Sequence, residues 1–397
     1  MSYWISEKIF SVCNTCNLLR RFRKAAIFFL MLCAVFLADF IGAGSYKFLK
    51  GYSWHSRKQA QFQESFKPIR VRSKIFHHGL TKKTVGKMQW EGRVLYPVYT
   101  NSLGLFDKSS REVSLAADKY RIVFIGDSFV EGMGVAYPNT FVGLLDAELS
   151  KKNIEVLNAG LVSYSPVIYW RKIKYLIEEV GLKFNELAVF LDISDPKNEM
   201  LDYYLDDREN VISRPTIEVG LMQPREAEVR SYRLDLFIKR NTILTYFLFE
   251  KIKNSFVRKM NTGLSIALWT TDGKLYKKYG EEGLSKMAFY MDRLYALCQK
   301  HRIKLTVAVY PWPDQIVNED LRSIQVLYWK GWSDRTGVEF LDYFPYFVTG
   351  ENKEEKRRVI EKYFIKGDQH WNAAGHQLIA DVFLKYHAGS LRAAAER

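Results

Sequence analysis

The chain is predicted to fold as an α/β domain, a parallel sheet with helices on both faces, from two observations. Between Arg121 and Tyr386, short apolar runs alternate with stretches of helical period, and strands separated by helices pair in parallel. One of the runs, Leu187–Ile193, is apolar without alternation, as in a strand buried on both faces.

Taken in order, Arg121–Ile125 is the first strand and runs into Gly126-Asp127-Ser128. Asn139–Leu149 is a helix with Phe141, Leu144 and Leu145 on its apolar face. Glu155–Leu157 is the second strand and ends in Asn158-Ala159-Gly160. Ile168–Val180 is a helix stopped by Gly181. After Leu187–Ile193 the rhythm breaks: Pro196 to Gly280 reads as an insertion. Within it, Tyr232–Met260 is rich in aromatics and Lys/Arg, as expected of an amphipathic helix on a membrane surface or of a lid. Leu284–His301 is an amphipathic helix, and Cys298 shares its stripe with Met287, Met291 and Leu294, which marks a buried thiol. Ile303–Tyr310 is a strand closed by Pro311-Trp312-Pro313, Val338–Leu341 is the fifth strand, and Ala373–Tyr386 is the last helix. No period of roughly 20 to 50 residues recurs, so a solenoid is not expected.

Residues 25–44 form an apolar run, and at about 1.5 Å per residue such a helix spans about 30 Å, one hydrocarbon core. Arg20, Arg21, Arg23 and Lys24 precede it, which places the N-terminus in the cytoplasm and the rest outside. A cleaved signal with Gly42 to Ser45 as its cleavage zone is the rival, and the run is long for one. Asp39 lies near the outer end, where it can reach the interface. The net charge of +15 is uneven: residues 1–95 hold 17 Lys/Arg against four Asp/Glu. Positive charge beside an apolar run suits anionic lipid headgroups. No finger, basic zipper or RNP-like run points to nucleic acid. Cys13 and Cys16 form a lone C-x-x-C, and Cys33 lies inside the apolar run, so neither a zinc site nor a disulfide framework is implied. The expected organisation is a basic tail (1–24), an anchor (25–44), a membrane-proximal linker or cap (45–115) that becomes ordered near Tyr96–Phe106, and a catalytic domain (116–390) with the insertion 196–280.

Active sites in parallel α/β sheets lie at the carboxyl ends of strands. Ser128, on the turn after the first strand, would offer a hydroxyl nucleophile and its own backbone N–H to one space. Gly160, at the end of the second strand, can present an unobstructed N–H to a developing oxyanion. Near the C-terminus, His370 is the usual type of general base for a serine, and Asp368 beside it would fix its tautomer. Asn372 reads as the cap of the last helix and His376 as a packing residue within it.

Gly126-Asp127-Ser128, Asn158-Ala159-Gly160 and Asp368-Gln369-His370, in this order and on these elements, resemble the SGNH/GDSL hydrolase family over roughly residues 96–390, Asn101-Ser102-Leu103-Gly104-Leu105 included. The resemblance implies a flavodoxin-like three-layer α/β/α fold with a parallel sheet of about five strands. It also implies a serine esterase with Ser128 as nucleophile, His370 as base, Asp368 as its orienter, and the N–H groups of Ser128 and Gly160 as oxyanion donors. Two departures stand out. The family's acid–base pair is spaced D-x-x-H, whereas here it is D-x-H followed by Trp371; D-x-H-W resembles the SGNH-like domains of alginate O-acetyltransferases, which place it before the serine. The family's third block, G-x-N-D, donates from its Asn side chain; here the strand end reads Asp192-Ile193-Ser194-Asp195, with Ser194 at that position. Loss of one oxyanion donor costs about 10²–10³ in turnover, unless Ser194 or Asn158 substitutes.

The function expected is hydrolysis of O-acyl, chiefly acetyl, esters on cell-envelope polysaccharide or lipid. The alternatives are an O-acyltransferase within an envelope polysaccharide-modification complex, and a degenerate domain that binds glycan or scaffolds. Anionic membrane lipids are the other expected partner. No metal constellation is present in the sequence, and the chemistry needs no cofactor.

Overall fold

The computed structural model describes residues 69–90, 94–116, 118–213, 266–318 and 321–389, most positions between 23 and 45, and Thr242 and Thr245. The chain divides into two units: Met1–Lys58 with Pro224–Gly263, and Gln59–Gln223 with Leu264–Arg397.

In the first unit, the described residues between Arg23 and Ser45 are helical. Ile27, Phe29, Leu30, Met31, Val35, Leu37 and Ile41 expose large apolar side chains, and Cys33 is a free, exposed thiol. Asp39 accepts the backbone N–H of Thr245 at 2.7 Å, so this acid within an apolar stretch has a donor. Among the described residues, no helix is long and apolar enough to cross a membrane. The tail before Arg23 with Cys13 and Cys16, positions 25, 28, 32 and 44 of the expected anchor, and nearly all of Tyr232–Met260 lie outside the described residues.

The second unit is built on strands. A hairpin of β1 (Arg70–Ser73) and β2 (His77–Leu80) comes first. Then β3 (Val85–Trp90), β4 (Val94–Thr100) and β5 (Phe106–Asp107) follow as antiparallel neighbours. The parallel strands are β6 (Tyr120–Ile125), β7 (Ile154–Asn158), β8 (Glu186–Leu191), β11 (Lys304–Val309) and β12 (Glu339–Asp342). A second hairpin, β9 (Tyr203–Leu205) with β10 (Val211–Ser213), lies in the insertion. The large sheet has the order β12-β11-β8-β6-β7-β5-β4-β3. Its parallel strands therefore run 2-1-3-4-5 in chain order, the flavodoxin-like arrangement. Three antiparallel strands extend it beyond β7, so the sheet is wider than the five strands expected. The segment that supplies them reads as aperiodic because β3 exposes Val85 and Lys87 on one face and puts Gly86 on the other, which blurs the alternation.

The helices that matter for the site are α1 (Ser128–Glu131), α2 (Phe141–Ser150), α3 (Pro166–Lys174), α4 (Asp195–Leu201), α5 (Glu281–His301), α6 (Ile324–Thr336), α7 (Lys353–Tyr363) and α8 (Ala373–Tyr386). Chain direction decides their faces. The crossover from β6 to β7 carries α2 and that from β7 to β8 carries α3, and the two run in opposite directions along the sheet. Right-handed crossovers then put α2 and α3 on opposite faces. α8 packs on α2, and α5 packs on α3 and α4, which completes three layers. Every residue of β8 is buried, as its continuous apolar pattern requires. Cys298 is buried on α5 with Met287, Met291 and Leu294.

Candidate active site

Order at the end of β6 follows from three small residues. A side chain at Gly126 would press on Val130 and lie 3.0 Å from the carbonyl of Phe190 on the neighbouring strand. Asp127 caps α1, its Oδ1 accepting the Phe129 N–H at 2.9 Å. Ser128 is then the first residue of the helix, where its N–H has no acceptor inside the helix.

His370 reaches Ser128 from the loop before α8. Its Nε2 lies 2.9 Å from the serine Oγ, and its Nδ1 lies 2.7 Å from Asp368 Oδ1. With Nδ1–H donating to the carboxylate, Nε2 presents its lone pair to the hydroxyl, the tautomer a general base requires. The short D-x-H spacing has a local cause: Asp368 Oδ1 also accepts the backbone N–H of His370 at 3.0 Å, closing an Asx-type turn. Burial raises the Asp368 carboxyl, but the hydrogen bonds from the His370 ring and backbone and from Trp90 outweigh it and hold the group below its usual value. Asn372 caps α8 through Ala374 and Gly375 at 2.9 and 3.0 Å, and its Nδ2 ties back to the carbonyls of Lys362 and Phe364. His376 packs where expected and accepts the Phe141 N–H at 3.1 Å; burial first, then His370, lowers it to about 3.

The expected oxyanion donors are placed differently. Gly160 N–H donates to Asn158 Oδ1 at 3.0 Å, and Asn158 Nδ2 donates to the Val130 carbonyl at 2.8 Å. Asn158 is fully buried, and a buried amide fills its hydrogen bonds with the nearest backbone. Its side chain is thus a brace between the two loops rather than a free donor. Gly160 is needed for packing, since a Cβ there would press on Val130 and come within 3.1 Å of the Glu131 nitrogen in α1. The Ser194 hydroxyl donates to Asp192 Oδ1, so it too is occupied. Of the four, the Ser128 N–H alone starts without such a partner.

Beneath Ser128 lies a group of buried acids. Asp127 Oδ2 is 3.2 Å from Ser128 Oγ, and Tyr310 OH lies 3.1 Å from Asp127 Oδ1 and 2.9 Å from Asp192 Oδ2. Trp312 Nε1 donates to Asp192 Oδ2 at 2.7 Å, and Asp195 Oδ2 accepts the Asp192 N–H at 3.0 Å. Tyr310 has one phenol proton and so donates to one of Asp127 and Asp192 at a time. Burial first, and then neighbouring carboxylates, push Asp127 and Asp195 well above the usual range; burial also raises Asp192.

Trp90, Tyr310 and Trp312 were not singled out from sequence. Trp90 lies in the segment read as a linker. Tyr310 and Trp312 had a usable signal, since they follow directly on a parallel strand at its carboxyl end. Trp371 is wholly buried against Phe129 and Tyr310, at 4.7 and 4.8 Å between ring centroids, and supports the loop from behind. Among the described residues, one trio has metal-ligand types within reach of one another: Glu186, Glu339 and His387. Lys304 Nζ sits 2.9 Å from Glu339 and 3.8 Å from Glu186, so a cation from the chain itself balances those acids.

No family model and no curated protein matches the chain. Solved structures similar to it include the psychrotrophic esterase EstA from Pseudoalteromonas sp., with TM-score 0.37 and 11% identity over 69% of this chain and 100% of that one. The acetyl xylan esterase AlAXEase gives TM-score 0.39 and 10% identity over 67% and 98%. A catalytic mutant of an acetylxylan esterase from Geobacillus stearothermophilus gives 0.35 and 13% over 67% and 93%. The fold assignment rests on the strand order itself.

Proposed function

We propose that the chain is a serine esterase that removes small O-acyl groups from cell-envelope glycan or lipid. The observation that carries this reading is the line of hydrogen bonds from Ser128 Oγ through His370 to Asp368, at 2.9 and 2.7 Å. Ser128 attacks the ester carbonyl as His370 takes its proton. The proton then passes to the departing alcohol oxygen and leaves an acyl-enzyme. Water, deprotonated by the same histidine, releases the carboxylic acid and restores the serine. The Ser128 N–H faces the developing oxyanion. A second donor becomes available when Gly160 N–H exchanges Asn158 Oδ1 for that oxyanion, and this exchange slows the enzyme relative to one with a free hole. Ser128 is only 7% exposed, which suits an acyl group as small as acetyl. The exposed apolar side chains between Ile27 and Ile41, preceded by Arg23 and Lys24, support attachment to the cytoplasmic membrane with the catalytic unit outside.

The test is hydrolysis of an aryl acetate by the full-length protein and by Ser128→Ala, with an organophosphonate as a covalent probe. Wild-type turnover and labelling, both lost in Ser128→Ala, are expected. A folded wild type that neither turns over the ester nor takes the label would overturn the assignment. Product that appears only when an oligosaccharide acceptor is added would make it an O-acyltransferase.

A further inference from the structure

We propose that the cavity between α4, β9 and the first half of α5 is a subsite for a neutral saccharide unit of the chain that carries the ester. The inference rests on the glycan reading above and adds to it a place where the polymer is held.

The cavity measures about 380 Å³, within the range of about 300–1,000 Å³ usual for small-ligand sites. Its walls combine rings with acceptors: Tyr204, Phe289 and Tyr290 beside Glu199, Glu282 and Ser285. Phe289 is 56% exposed, unusual for a phenylalanine on a long helix whose other face is buried. The ring is nonetheless held. Tyr290 meets it edge-on at 5.1 Å between centroids, and the Arg293 guanidinium lies 5.8 Å from its centre. Arg293 is itself fixed, stacked 3.8 Å over Trp170 and paired with Glu209. An exposed aromatic surface with little side-chain entropy left to lose is a platform for the C–H face of a pyranose ring.

The polar groups decide the kind of sugar. Glu282 is paired with Lys286 at 3.0 Å, and that pair leaves no net charge. Glu199 is 3% exposed, its Oε1 accepts the Val167 N–H at 2.8 Å, and burial first of all pushes its carboxyl up to about 7. Carboxyl oxygens and a serine hydroxyl suit the hydroxyls of a neutral sugar, and among the described lining residues the one cation, Lys286, is paired with Glu282, which disfavours uronates and phosphates.

Position links the cavity to the catalytic group. Glu199 lies one helical turn, about 6 Å of axis, beyond Asp195, whose carboxyl holds the Asp192 backbone at 3.0 Å. The cavity therefore borders the helix that begins just after the carboxyl end of β8.

The experiment is binding of full-length protein to an array of neutral oligosaccharides (hexose, pentose and N-acetylhexosamine) printed beside oligouronates, with aryl acetate turnover followed in parallel. At least one neutral series is expected to bind. Phe289→Ala and Tyr204→Ala should each weaken that binding about tenfold, as loss of an aromatic anchor does, with turnover and the thermal midpoint unchanged. Phe289→Tyr should retain it. Binding that Phe289→Ala leaves intact, a preference for oligouronates, or no neutral binding by a protein that hydrolyses the aryl ester would each overturn the subsite and leave the esterase standing. Neutral binding by a protein whose Ser128 takes no phosphonate would overturn the esterase and leave the subsite standing.

Discussion

Trp90 donates its indole N–H to Oδ2 of Asp368, the carboxylate oxygen that His370 does not use. The two residues are 278 positions apart in the chain. The antiparallel strand β3 thus reaches the Asp368 carboxylate, and the Trp90 ring also meets His370 edge-on at 5.1 Å. Both oxygens of Asp368 are fixed, one by a local turn and one from across the unit.

Trp90→Phe keeps the ring and removes the donor. A hydrogen bond to a charged group contributes about 1.5–3 kcal/mol, so kcat for an aryl acetate should fall about tenfold or more with little change in KM. Asp368→Asn, which reverses the tautomer preference of His370, should lower kcat by about 10⁴. Steady-state kinetics of the two variants side by side is the check; an unchanged kcat in Trp90→Phe would mean that Trp90 acts only through packing.

Gly160→Ala should destabilise the protein by about 1–3 kcal/mol, the usual result of overpacking, because the new methyl presses on Val130. Since Val130 and Ser128 share the short helix α1, activity should fall further than stability. Denaturant melts and kinetics on one preparation separate the two effects.

The buried acids set a pH dependence. Asp127, Asp192 and Asp195 are raised in the folded state, so the unfolded chain loses these protons first, near pH 4. Above that pH the unfolded state binds fewer protons than the folded one, and their contribution declines as pH rises. Asp195→Asn should therefore gain stability relative to wild type between pH 4 and pH 8, measured as thermal midpoints across that window. A gap that does not change with pH would show Asp195 ionised in the folded protein.

His387 has the opposite sign. Burial alone would lower it, but Glu186 and Glu339 outweigh burial and raise it above its ordinary value. Its contribution is fully present below about pH 6.5 and is lost as pH rises through the folded value. His387→Gln should be less stable than wild type at pH 6, with the gap closing by pH 9.

The sequence alone singled out Ser128, His370 and Asp368, which the fold joins in one line of hydrogen bonds, and the parallel strands. Gly126-Asp127-Ser128 and Asp368-Gln369-His370 are short motifs whose chemistry is set by residues next to one another: a cap, an Asx-type turn, a glycine under a crossing strand. Four of the five parallel strands are almost wholly buried and carry their own apolar signature. The tertiary structure alone decided how the oxyanion donors are used, because a buried amide such as Asn158 bonds to whichever backbone the fold brings near it. It also decided that β3 to β5 join the sheet, that Trp90 holds Asp368, that three acids meet under Ser128, and that Phe289 stands exposed beside Glu199. Each of these joins segments far apart in the chain, and what matters there is strand register and packing, which local composition does not encode.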